Sequence, residues 1–216
     1  MRLLSVCVCA LIVFAVSAPR ACASLITQFE GTSANLNGTF TYSYEVFLEP
    51  RETISGTNGA SANVAGGDYL TIYDFSGLVG TPAFTPATAG AVFTLTTENL
   101  GITPPKAMPT DDPAILNITA GYTGSRMNAS TAEIDLGTIT VVSTFGTTTT
   151  GNFASQAHAL PRGSGQGSAT VYIGDTTVAA ADPAAEPSSL TLFGVGGLGL
   201  AGAVWWRRRK RLLKLA

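Results

Sequence analysis

Residues Ser188 to Trp206 form an unbroken run of 19 uncharged residues, and the five that follow, Arg207, Arg208, Arg209, Lys210 and Arg211, are all basic. As a helix rising about 1.5 Å per residue the run is about 28 Å long, enough to cross a hydrocarbon core of about 30 Å. Trp205 and Trp206 end it with amphipathic rings suited to a membrane interface, and the basic block favours the cytoplasmic side. The sequence therefore predicts one transmembrane helix at 188–206, a basic cytoplasmic tail at 207–216, and all upstream residues on the far side of the membrane.

The other end agrees. Arg2, the apolar stretch through Val16 and the small-x-small pattern Ala21-Cys22-Ala23 before Ser24 read as a signal peptide over 1–23, with the mature chain starting at Ser24. This predicts handling by the Sec export machinery and signal peptidase. Cys7, Cys9 and Cys22 all fall in the removed segment, so the exported part has no disulfide or thiol chemistry. Between Ser24 and Pro187 the basic residues are Arg51, Lys106, Arg126 and Arg162, against 14 acidic residues, a net charge of −10. Such a balance excludes nucleic acid and anionic lipid surfaces as partners.

Residues 24–178 read as one β-rich exported domain. Phe40, Tyr42, Tyr44, Val46 and Leu48 alternate with Thr39, Thr41, Ser43 and Glu45, the period of a half-buried strand. Further strands are expected at 68–75, 91–97, 114–119, 132–145, 152–160 and 168–173. Pro82 and Pro86 predict a loop, because proline cannot donate to a central ladder. A longer loop is expected from Thr103 to Pro113, and the threonine run 147–150 separates two strands. The spacing of short strands between Gly and Pro turns predicts an all-β, antiparallel β-sandwich-like domain. Residues 179–187, small and containing Pro183, read as a linker that carries a processing signal.

That signal is Ala185-Glu186-Pro187, followed by the glycine-rich run Gly194-Val195-Gly196-Gly197-Leu198-Gly199 and the arginine block. A glycosylphosphatidylinositol signal does not end in consecutive basic residues, and no LPxTG pentapeptide precedes the span. The layout resembles the PEP-CTERM sorting domain of exported bacterial proteins over about residues 183–211. Ala185 stands where that signature has its first proline. The resemblance implies cleavage by an exosortase-type membrane protease, passage from an inner-membrane-anchored precursor to the cell surface or medium, and association with exopolysaccharide of a biofilm matrix. Residues 67–75, 111–113 and 143–150 are similar to a middle region shared by some such proteins, which implies no activity. A permanently anchored single-pass protein is the alternative, since Gly197 with Ala201 and Gly199 with Ala203 also suit helix packing.

Catalytic signals are sparse. His158 is the single histidine, and its alternating surroundings predict a solvent-facing strand position. No nucleophile elbow, phosphate loop or zinc-ligand spacing occurs. The expectation is a protein that is not an enzyme and needs no cofactor or metal. Two other readings stay open. A glycosidase-like enzyme would pair carboxylates drawn from Glu45, Glu49, Glu52, Asp68 and Asp74. A carbohydrate-binding module would present Tyr42, Tyr44 or Tyr122 as exposed stacking platforms. Asp111 and Asp112, or Asp68 and Asp74, offer hard oxygens for calcium, although turn capping explains aspartates there equally well. Sequons occur at Asn37, Asn117 and Asn128.

Overall fold

The computed structural model describes residues 24–56, 67–104, 107–161 and 167–181. Ala21, Ala23, the signature 185–187, the span 188–206 and the tail 207–216 lie outside these residues. Among the described residues there is no α-helix, and so none long and apolar enough to cross a membrane. The chain divides between Ala180 and Ala181, and the description below concerns the first unit.

Two antiparallel sheets enclose one core, a β-sandwich-like arrangement. The first has the order β1 (Leu25–Ala34), β2 (Phe40–Leu48), β9 (Ile134–Ser143), β5 (Leu78–Pro86). The second runs β6 (Phe93–Glu98), β7 (Asn117–Tyr122), β4 (Tyr69–Ile72), β10 (Thr148–Ala159), β3 (Glu52–Ile54), β8 (Met127–Ala129), with β11 (Ala169–Ala179) also paired to β10. One edge of β10 meets β11 from Thr148 to His158. Its other edge meets β4 at 153–156 and β3 at 158–159, so these two short strands lie end to end.

The aromatic face of β2 points inward as its alternation requires: Tyr42, Tyr44, Val46 and Leu48 are fully buried. Opposite them pack Leu70, Ile72, Ile118, Ala120 and Tyr122 from the second sheet. Tyr42, Tyr44 and Tyr122 are therefore core residues, which corrects the reading of them as exposed stacking platforms. Each hydroxyl is satisfied in place. Tyr42 donates toward Phe145 O and Thr147 O, both at 3.0 Å, Tyr44 donates to Thr177 O at 2.8 Å, and Tyr122 donates to Ser125 O at 2.6 Å. A buried ring with a satisfied hydroxyl is a large apolar group that also ties down a loop or strand.

Three strand expectations need correction. Pro82 and Pro86 lie inside β5, not in a loop. This strand is an edge that pairs only with β9, and the register shifts between Val79 and Ala83, so neither proline takes a donor from a central ladder. The threonine run does not separate strands: Thr148, Thr149 and Thr150 open β10 and pair with Ala179, Val178 and Thr177 in turn. The last strand does not end near 173 but continues to Ala179, one residue into the stretch read as linker. Strands β1, β3 and β8 have no counterpart in the sequence reading.

The two flanks of the sandwich differ. On one, Phe84 of β5 meets Phe93 of β6 edge-on at 4.8 Å, and Phe93 meets Tyr122 at 5.2 Å, which closes the space between the sheets. On the other, Phe29 of β1 packs on Tyr44 and Tyr42 of its own sheet, and Tyr172 of β11 packs on Phe153 of its own sheet. The aromatic rings there do not bridge, and the flank opens into a groove.

Gly137 sets the register between β2 and β9. Val46 pairs with Gly137 and Phe47 with Asp135, so Leu136 bulges and its side chain is fully buried. Gly137 has φ 138°, and a Cβ there would collide with Thr85 O and approach Pro86 Cα at 2.8 Å. Gly80 also has positive φ, 71°, but has open space around its Cβ position. Gly137→Ala is expected to cost more than about 3 kcal/mol in urea unfolding and Gly80→Ala about 1 kcal/mol, the strain without the collision. Equal losses would remove the bulge argument.

Candidate functional site

Two places in the fold gather polar chemistry. The first is a buried cluster where β3, β10 and the start of β4 meet. Arg51, at φ 68°, turns the chain into β3, with its N–H bonded to Ala129 O at 2.5 Å and its carbonyl accepting from Leu160 N at 2.6 Å. This fixes Glu52 opposite Ala159 and Thr53 opposite His158, so the two residues face opposite sides of the sheet. Asp68 lies just ahead of β4. Its Oδ2 accepts from Ser55 N at 2.9 Å, and its Oδ1 lies 2.8 Å from His158 Nδ1.

His158 is thus not solvent-facing: it is 6% exposed and Asp68 is fully buried. The outer face of the second sheet is covered here, and alternation alone does not reveal cover. An ionised carboxylate at Nδ1 selects the imidazole tautomer with its proton on that nitrogen. The pair joins positions 90 residues apart and acts as a clamp between the two halves of the sheet.

Glu52 is fully buried on the core side. Its Oε2 accepts the Thr170 hydroxyl at 2.9 Å, while Oε1 has no hydrogen-bond partner among the described residues. Burial pushes its pKa up to about 7; the Thr170 hydrogen bond opposes this, and the charges of Glu49 and Asp68 add to it. Of the carboxylates considered for glycoside hydrolysis, the fold brings Glu52 within reach of the charges of Glu49 and Asp68. Glu45 instead sits by Asp135, Glu30 and Glu133, where desolvation first and these charges second raise its pKa.

Asp74 belongs to another group. At φ 57° it receives Asp112 N on its Oδ1 at 2.8 Å, and its own N–H donates to Asn117 Oδ1. Asp111 accepts from Gly101 N and from Asn117 Nδ2, and Asp112 accepts from Ala114 N. These aspartates organise the loop before β7 by binding N–H groups, the capping role, and no cluster of three or more His, Cys, Asp or Glu among the described residues is arranged to hold a metal ion. Asn117 is fully buried in this network, which closes that sequon in the folded domain, whereas Asn37 and Asn128 are exposed.

The second place is the open flank, a groove of about 440 Å³ between β1 and β11. Phe29, Phe153 and Tyr172 supply its apolar surface, Glu49 and Asp175 its charge, and Thr176 a hydroxyl. Burial, then the charge of Glu133, raises the Glu49 pKa. Across the floor, Tyr44 donates to Thr177 O, and Ser155 Oγ donates to Leu25 O at 2.5 Å, so hydrogen bonds from each sheet hold the edge strand of the other. Sequence reasoning found only Glu49 of these residues. Phe29 comes from the first strand, Phe153 from β10, and Tyr172, Asp175 and Thr176 from the last strand, and β1 carries no proline, glycine pair or threonine run that marks it.

No family model matches the chain, and no curated protein or solved structure is significantly similar to it.

Glu52 gives a pH test. Its carboxyl binds a proton more readily in the folded state than at the ordinary value of 4.5, so the native state holds more protons between pH 4.5 and about 7 and stability falls as pH rises through that window. Glu52→Gln keeps an acceptor for Thr170 without the charge. It is expected to flatten this slope and to be more stable than the parent at pH 8, measured as urea midpoints at pH 5 and pH 8. An unchanged slope would assign the pH dependence to other groups.

Proposed function

We propose that the chain is the precursor of an exported, non-enzymatic bacterial surface or matrix protein, whose C-terminal segment is a sorting signal read by an exosortase-type protease. The observation that carries this reading is the order of segments in one sequence: a signal peptide ending at Ala23, an acidic domain, Ala185-Glu186-Pro187, an uncharged span 188–206, and the block Arg207 to Arg211. In this account the inner membrane holds the precursor through the span, with the basic tail inside. The released domain then works at the surface or in the medium, where exopolysaccharide is its partner.

The domain fits this account in two respects. Its last strand ends at Ala179, and Ala180 N is bonded to Thr147 O, so residues 181–185 separate the folded β-structure from Glu186. Several of its polar groups hold the fold: His158 is buried against Asp68, and Asp74, Asp111 and Asp112 bind backbone or amide N–H groups. This is the arrangement expected of a scaffold, not of a general acid and base facing a substrate.

Mass spectrometry of the C-terminal peptide, on protein from the native host's surface, medium and membranes, tests the proposal. The expected terminus outside the membrane lies between Ala184 and Ser188, with residues 190–216 missing. An intact chain ending at Ala216 and found only in membranes would replace the sorting reading with that of a permanent anchor.

A further inference from the structure

The open flank is built differently from the closed one. Where Phe84 and Phe93 fill the gap between the sheets on one side, Phe29 and Tyr172 each stay against their own sheet on the other and leave their remaining faces to the groove. Both rings are half-buried and anchored, so they present apolar surface at little cost in side-chain freedom. Thr176 also lines the groove; it is only 7% exposed, and its Oγ1 has no hydrogen-bond partner among the described residues. An orphaned buried hydroxyl costs about 1–3 kcal/mol and calls for a partner that no described residue provides. Gln28 and Asp175, both exposed, add an amide and a carboxylate at the rim.

We propose that this groove binds a neutral saccharide chain. Sugar rings offer C–H faces that pack on aromatic rings and hydroxyls that both donate and accept, which matches a lining of anchored rings, one orphan hydroxyl, an amide and carboxylates. A purely apolar ligand would leave Thr176, Glu49 and Asp175 desolvated without partners. A polyanion would meet Glu49 and Asp175 on a domain of net charge −10. The volume of about 440 Å³ lies within the range of small-ligand sites, about 300–1,000 Å³. Binding falls to Phe29 and Tyr172, whereas Tyr42 and Tyr44 support Phe29 from within the core. The inference rests on the export reading for the availability of polysaccharide, not for the site itself.

The test uses the full-length chain in detergent micelles, titrated calorimetrically with neutral oligosaccharides of glucose, mannose and galactose, and with oligogalacturonate as the anionic counterpart. At least one neutral oligosaccharide is expected to bind. Tyr172→Ala and Asp175→Ala should each weaken it about tenfold or more, and Leu36→Ala, in the exposed turn after β1, should leave it unchanged. Circular dichroism checks each variant, and if Tyr172→Ala does not fold, the exposed Asp175 decides alone. No neutral ligand bound at millimolar concentration, binding of oligogalacturonate alone, or binding unmoved by the groove variants would each overturn the proposal. Binding by a chain that the host never cleaves would leave the groove intact and remove only the sorting reading.

Discussion

Strand β10 is the member on which the rest of the domain depends, because both of its edges are filled. β11 runs along one edge, and β4 and β3 divide the other, so a single twelve-residue strand aligns segments from residues 52 to 179. Its inward side chains, Phe153 and Ala157, join the core, and its outward His158 reaches Asp68. Antiparallel pairing with strands so distant in sequence adds the closing of long loops to the conformational entropy that the ordered residues lose. The buried tyrosines offset part of that cost, since each adds a large apolar surface and a bond to a backbone carbonyl elsewhere.

The acidic groups divide by environment. Asp68, Asp74, Asp111 and Asp112 sit where N–H groups point at them, and there a carboxylate is a structural acceptor. Glu52 has a single hydroxyl for one oxygen and none for the other, so burial favours its neutral form. Glu49 and Asp175 line the groove, where they are free to meet a ligand. Position in the fold, not residue type, sorts these groups, and this is why a list of carboxylates drawn from the sequence did not point to a site.

Several elements were legible in the chain. The alternation from Thr39 to Leu48 marked β2, and the all-β, antiparallel class followed from the strand spacing. The loop expected from Thr103 to Pro113 contains no strand among its described residues. Other features were not. Pro82 and Pro86 were misplaced because a proline's meaning depends on whether its strand is an edge, which only pairing decides. His158 and Tyr122 were misjudged for a related reason: period two tells that side chains alternate, but not which face another segment covers.

The sequence by itself determined the strand class, the acidic balance, the single histidine and the succession of end segments on which the export reading stands, because these are properties of composition and local period. Tertiary structure alone decided which tyrosines are core, that Asp68 and His158 meet, and that one flank of the sandwich is filled while the other is open. The physical reason is that these depend on register and sheet order. They bring together residues such as Phe29 and Tyr172, between which no local pattern in the chain passes information.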